Sequence, residues 1–139
     1  MKITVLSKLC LHTDYHKQWL YATSAPMSYY IDGVRIPDCN VSHHARLLAD
    51  VRNNVITIHK GYAFDGMTSF PDDAANLTAA LLHDFLYQTA LISRSDSDKA
   101  LVATMEAVGA KHKSVVWLGV FCFGWMHYGK EKGIRIVKV

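Results

Sequence analysis

Residues 71–90 read Pro-Asp-Asp-Ala-Ala-Asn-Leu-Thr-Ala-Ala-Leu-Leu-His-Asp-Phe-Leu-Tyr-Gln-Thr-Ala, and this stretch decides the fold. Pro71-Asp72-Asp73 is a helix-start signal, because a carboxylate there can accept a hydrogen bond from the free amides of a first turn. Apolar residues then recur on one helical face across 74–90. Inside that helix, His83 and Asp84 stand side by side among Leu81, Leu82, Phe85 and Leu86. Both side chains are costly to bury without partners, so a polar pair in an apolar helix is a candidate for chemistry.

Upstream, the pattern is that of short strands. Residues 2–6 alternate, 19–23 are β-prone, and 28–36 are interrupted by Asp32-Gly33, a hairpin signal. Segments 47–51 and 55–59 flank Arg52-Asn53-Asn54, which predicts a second hairpin. The pattern changes near Phe64. Downstream of the first helix, residues 93–95 form a break, and a second helix is expected over about 96–108, closed by Gly109. A third apolar segment, 115–128, carries Trp117, Phe121, Phe123 and Trp125 and reads as a buried helix. It falls short of the ~20 residues a membrane span needs. The expected architecture is α+β: an N-terminal antiparallel β-meander, then a helical hairpin and a third apolar helix. Residues 1–139 are expected to form one domain, β-rich over 1–64, with the site loop and helices over 65–129 and a short C-terminal segment over 130–139.

Half the residues are hydrophobic and only 19% are charged, so the chain should fold rather than stay disordered. A net charge of +3, with Lys and Arg scattered, gives no case for nucleic acid. No charged region followed by an apolar run opens the chain, so no secretory signal and no transmembrane helix is expected. Cys10, Cys39 and Cys122 are odd in number and widely spaced, which points to a reducing compartment and away from a disulfide framework or a cysteine-held zinc.

Each candidate site residue has a bland reading beside a functional one. Asp65-Gly66, followed by Met67-Thr68-Ser69, combines a carboxylate with free carbonyls, the oxygen mixture that calcium takes; it also fits a plain loop. His83 is a general base with Asp84 as a metal ligand, or a core histidine beside a solvated carboxylate. Ser95-Asp96-Ser97-Asp98 fits a capping box with Ser95 as N-cap. Alternatively, Asp98 faces back across the helical hairpin and holds the His83 imidazole in one tautomer. Tyr87, one turn after His83, is a packing residue whose hydroxyl reaches a polar neighbour. Arg94 is a surface charge or a partner for Asp96. His43 and His44 read as solvated loop histidines.

Phe64-Asp65-Gly66-Met67-Thr68-Ser69-Phe70-Pro71, Leu82-His83-Asp84-Phe85-Leu86-Tyr87, then Arg94 and Asp98 resemble, in that order, an uncharacterised domain family of phages, prophages and bacteria, the domain of unknown function 1353 family. Its pattern runs roughly G-[FY]-x-[TF]-D-x-x-S-x-P, then H-D-x-L-Y, then R-x-x-x-D, and Gly61-Tyr62 fits its start. That family carries no agreed function to transfer. The same order is similar to the core of the bacterial and fungal phospholipase A2 group, where a D-[GL]-C-S-x-x-P loop precedes a helix bearing H-D-x-x-Y and a later helix supplies an Asp. This similarity implies calcium held by Asp65, the Gly66 carbonyl and Asp84, with His83 as base and Asp98 orienting it. Tyr87 and Arg94 take supporting places. Two departures stand out: Met67 and Leu81 or Leu82 lie where cysteines belong, and the secretory signal is missing.

The resemblance implies a phospholipid or membrane surface as substrate. A non-catalytic accessory that binds a host or virion protein is the other class, in the host cytoplasm or the phage virion. A third class, a metal phosphohydrolase of the HD type, needs an upstream helical histidine, and His59 lies in a strand-like run.

Overall fold

The computed structural model describes residues 1–13, 21–66, 73–113, 116 and 128–139. Its frame is a six-stranded antiparallel sheet in the order β1-β4-β7-β6-β5-β9, with a smaller sheet β2-β3-β8. The strands are β1 (Lys2–Val5), β2 (Leu11–Thr13), β3 (Tyr21–Thr23), β4 (Met27–Asp32), β5 (Cys39–His43), β6 (Arg46–Arg52), β7 (Val55–Ile58), β8 (Ala63–Phe64) and β9 (Ile134–Lys138). Among the described residues two helices, α1 (Ala74–Thr89) and α2 (Arg94–Ala107), lie between β8 and β9 in the chain.

Alternation explains the large sheet. Met27, Tyr29 and Ile31 of β4 are buried while Tyr30 and Asp32 are exposed, the period of two that puts one strand face on a core. Register continues that face sideways: Tyr29 stands opposite Ile56, Ile56 opposite Val51, and Val51 opposite Cys39. The opposite face is polar, with Ser28 bonded to Thr57 at 3.0 Å and His59 Nε2 2.9 Å from Asp50 Oδ1. α1 covers the apolar face, and the Tyr29 hydroxyl donates to the Thr78 carbonyl at 2.8 Å, tying sheet to helix. α2 packs on α1 and along β1. Leu81, Leu82, Phe85 and Leu86 are fully buried in the core that α1 shares with the sheet and α2.

Several expectations are met. The hairpin at 52–55 forms with Asn53 and Asn54 at φ 50° and 60°, the left-handed pair a tight turn between twisted strands requires. Asp73 caps α1 by accepting from the Asn76 amide at 2.8 Å, and Ala90 ends it in the left-handed region.

Others need correction. Asp32-Gly33 ends β4 without starting a hairpin, since β4 pairs with β1 and β7. The chain beyond is held instead by the Asn54 side chain, which donates to the Ile31 and Val34 carbonyls and accepts from the Ile36 amide. Three consecutive strands, β5 to β7, do form a meander, but its outer edge is finished by β9. Residues 134–138 are therefore part of the main sheet rather than an appended tail. His43 closes β5 and accepts no loop role: its Nε2 lies 2.9 Å from the Lys132 carbonyl and 3.3 Å from Glu131 Oε1. α2 begins at Arg94, with Ser93 as N-cap in place of Ser95. The expected third helix, with Trp117, Phe121 and Trp125, lies outside the described residues apart from its ends, as does Cys122. Cys10 and Cys39 are free thiols. Among the described residues no helix is long and apolar enough to cross a membrane.

Candidate functional site

α1 carries two polar pairs on two of its flanks. His83 and Tyr87, one turn apart, face α2; Asp84 and Gln88, one turn apart, face the segment around β8.

On the first flank, His83 Nε2 lies 3.3 Å from Asp98 Oδ1, with both side chains nearly sealed from water. The Tyr87 hydroxyl donates to the same oxygen in a short hydrogen bond. Arg94, one turn before Asp98 on α2, brings Nε to 3.9 Å from Asp98 Oδ2. The Tyr87 and His83 rings lie 4.1 Å apart. Burial first, then the bond to Asp98, push the Tyr87 hydroxyl pKa far above its ordinary value, with Arg94 opposing, so the tyrosine stays a proton donor. An ionised carboxylate only accepts, so His83 donates its Nε2 hydrogen to Asp98 and keeps its lone pair on Nδ1 when neutral. The structure thus brings His83, Tyr87, Arg94 and Asp98 together. Asp98 faces across the hairpin and leaves the capping role to Asp96, whose amide donates to Ser93 Oγ at 3.1 Å. Lys99 is 3.6 Å from Asp96, so Arg94 belongs with Asp98.

On the second flank, burial and then the neighbouring Asp65 carboxylate push the Asp84 pKa well above the carboxylate range. The residue as a whole is partly buried, but its Oδ2 is closed to solvent and has no hydrogen-bond partner among the described residues. Two carboxylates in contact need something positive between them, either a proton or a cation. Gly66, buried with φ 83°, follows Asp65. The orphaned Asp84 acceptor beside the Asp65 carboxylate is the kind of oxygen pair that a hard cation takes. Among the described residues no group of three or more His, Cys, Asp or Glu side chains could hold a metal, so the rest of such a shell falls to carbonyl or water oxygens.

Sequence reasoning missed the surroundings. The buried Tyr62 hydroxyl donates to Gln88 Oε1 at 2.8 Å, and Asp84, Glu131 and Asp65 add to burial in raising its pKa. Tyr128 packs edge-on to Tyr87 at 5.5 Å and donates to the Ile92 carbonyl, while the Gly129 amide bonds the Tyr87 carbonyl at 2.8 Å. Only Gln88 had a local signal, one turn after Asp84. His59 stays with Asp50 on the sheet, so the HD-type reading gains nothing here.

The chain matches the model of a family described as a protein of unknown function, DUF1353, over residues 40–120, more than half its length. It belongs to that family. The match spans β5 to β8 and both site helices. No curated protein and no solved structure matches the chain.

Proposed function

We propose that this member of the DUF1353 family is a phage-type, phospholipase A2-like hydrolase of phospholipid esters. The reading rests on one observation: the buried contact between His83 and Asp98 lies one helix position from a carboxylate pair, Asp84 and Asp65, for which no cationic side chain among the described residues forms an ion pair. In this reading His83 Nδ1 takes a proton from the water that attacks the ester carbonyl, and returns it to the departing alkoxide. Asp98 stabilises the imidazolium and fixes its tautomer. Tyr87 and Arg94 hold Asp98 in place. Calcium, when bound by Asp65, Asp84 and the Gly66 carbonyl, supplies charge neutralisation for phosphate and oxyanion. The choice of phospholipid comes from the resemblance in motif order.

The test is release of fatty acid from phospholipid vesicles with and without calcium. Wild type is expected to be active only with the metal, and His83→Ala to lose roughly 10²–10⁴-fold while keeping its circular dichroism spectrum. Equal inactivity of both folded proteins across lipids and metals rejects the enzyme.

A second reading has its own support. Asp98 is held by Tyr87 and His83 on one oxygen and approached by Arg94 on the other, as in a structural ion network, and an open hollow lined by Met1, Lys99, Val102, Ala103 and Glu106 touches none of them. A non-catalytic accessory that binds a host or virion protein, with the site kept as scaffold, is what an inactive wild type would leave.

A further inference from the structure

β9 offers an open strand edge among the described residues. β9 closes one end of the six-stranded sheet, and no described strand pairs with its outer side. Ile136 and Val137 are 40% and 45% exposed, and Val139 just beyond is 74% exposed. Natural edge strands are guarded by brevity, charge or cover, and an uncovered apolar edge invites another strand.

Register fixes which groups the edge offers. β5 and β9 run antiparallel with Cys39 opposite Lys138 and His43 opposite Ile134. At the two ends of that ladder, the Val139 amide bonds the Asp38 carbonyl at 3.0 Å and the His44 amide bonds the Gly133 carbonyl at 2.9 Å. Bonded pairs alternate along an antiparallel ladder, so Gly133, Arg135, Val137 and Val139 bond inward to β5. Ile134, Ile136 and Lys138 therefore direct their amides and carbonyls outward. The side chain of Ile136 shares the face of its partner Val41, which is fully buried, and Ile134 packs against the main core. The covered apolar layer thus stops at Ile136.

We propose that β9 pairs with β9 of a second copy of this chain, antiparallel, about a two-fold axis at Ile136. The outward set is its own complement under that rotation. Ile136 meets Ile136 of the other copy, Ile134 meets Lys138, and three residues from each copy form a ladder with no unmatched group between them. The two half-covered Ile136 side chains shelter each other on the helix-side face. On the other face Val137 lies opposite Arg135, whose aliphatic stem covers it while the guanidinium stays in solvent. The only charged residues of β9, Arg135 and Lys138, flank the axis rather than sit on it. Affinity in such strand addition comes from main-chain hydrogen bonds, and its specificity from alternate side chains.

Sedimentation velocity from about 1 µM to about 1 mM is expected to show the mass rising from 15.6 kDa toward twice that value, as a weak dimer requires. Ile136→Pro removes an amide that serves only the outer edge, and proline is tolerated on edge strands, so it should weaken the dimer about tenfold or more and leave the monomer folded. Should that variant misfold, hydrogen exchange of the wild type decides. Amides of Ile134, Ile136 and Lys138 are expected to gain protection with concentration, while Arg135 and Val137 stay protected throughout. A monomer at every concentration overturns the proposal and leaves the edge to a strand of a different protein. A dimer that Ile136→Pro leaves intact, or one with no change in those three amides, overturns it as well.

Discussion

Asp98 is nearly as buried as the leucines around it, with Tyr87 donating to Oδ1, His83 Nε2 3.3 Å from the same oxygen and Arg94 Nε 3.9 Å from Oδ2. Removing the carboxylate strands the others. Asp98→Ala is expected to cost about 3–5 kcal/mol, as when one partner of a buried charged network is deleted. Tyr87→Phe should cost about 1.5–3 kcal/mol, one hydrogen bond to a charged group, and urea denaturation measures both. Asp84 behaves in the opposite sense. Its pKa is raised in the folded state, so the folded protein holds a proton that the unfolded chain has released. Stability from this group is therefore present at low pH and is lost as pH rises from the ordinary carboxylate value of 3.8 through the raised folded value. Asp84→Asn should melt at a higher temperature than wild type near neutral pH, with the gap closing toward pH 4. Calcium should raise the wild-type melting temperature near neutral pH and leave Asp84→Asn unmoved; an identical response of both proteins removes Asp84 from the cation site.

The helix starts show how one sequence pattern permits two structures. Ser93-Arg94-Ser95-Asp96 and Ser95-Asp96-Ser97-Asp98 both satisfy the capping-box spacing. The earlier frame wins because it places Asp98 one turn into α2, against His83, and leaves the half-buried Asp96 to bond Ser93. Ser93→Ala is expected to cost about 1 kcal/mol and Ser95→Ala almost nothing by thermal denaturation, the reverse of the sequence expectation. α1 was legible because its helical periodicity and its Asp73 cap are local. The approach of His83 to Asp98 was one of two alternatives the sequence left open, because the capping-box spacing fits Asp98 equally well. β9 was not legible: its residues alternate poorly and find their partner in β5, far back in the chain. Asp32-Gly33 misled because turn chemistry speaks for a reversal and says nothing of which strand will pair. The Tyr62–Gln88 bond joins a strand segment to a helix, and nothing nearby in sequence announces it.

At the scale of the molecule, α1 is both the centre of the core and the carrier of the site. Phe85, next to Asp84 in the chain, is fully buried and in edge contact with Tyr62 at 5.7 Å. A cation held by Asp84 and Asp65 is thus held by the folded core, and its binding energy adds to global stability rather than to a loop alone. Phe85→Ala, by opening a cavity there, should cost about 3–5 kcal/mol. That is a large part of the ~5–15 kcal/mol a domain has in total, yet it leaves the two carboxylates in place. Calcium at 100 times its dissociation constant stabilises the native state by about 2.7 kcal/mol, so it should shift the urea midpoints of wild type and Phe85→Ala by similar free energies. Should calcium leave the global midpoint unchanged while still binding, the cation sits on a segment that unfolds apart from α1, and Asp84 is not its anchor.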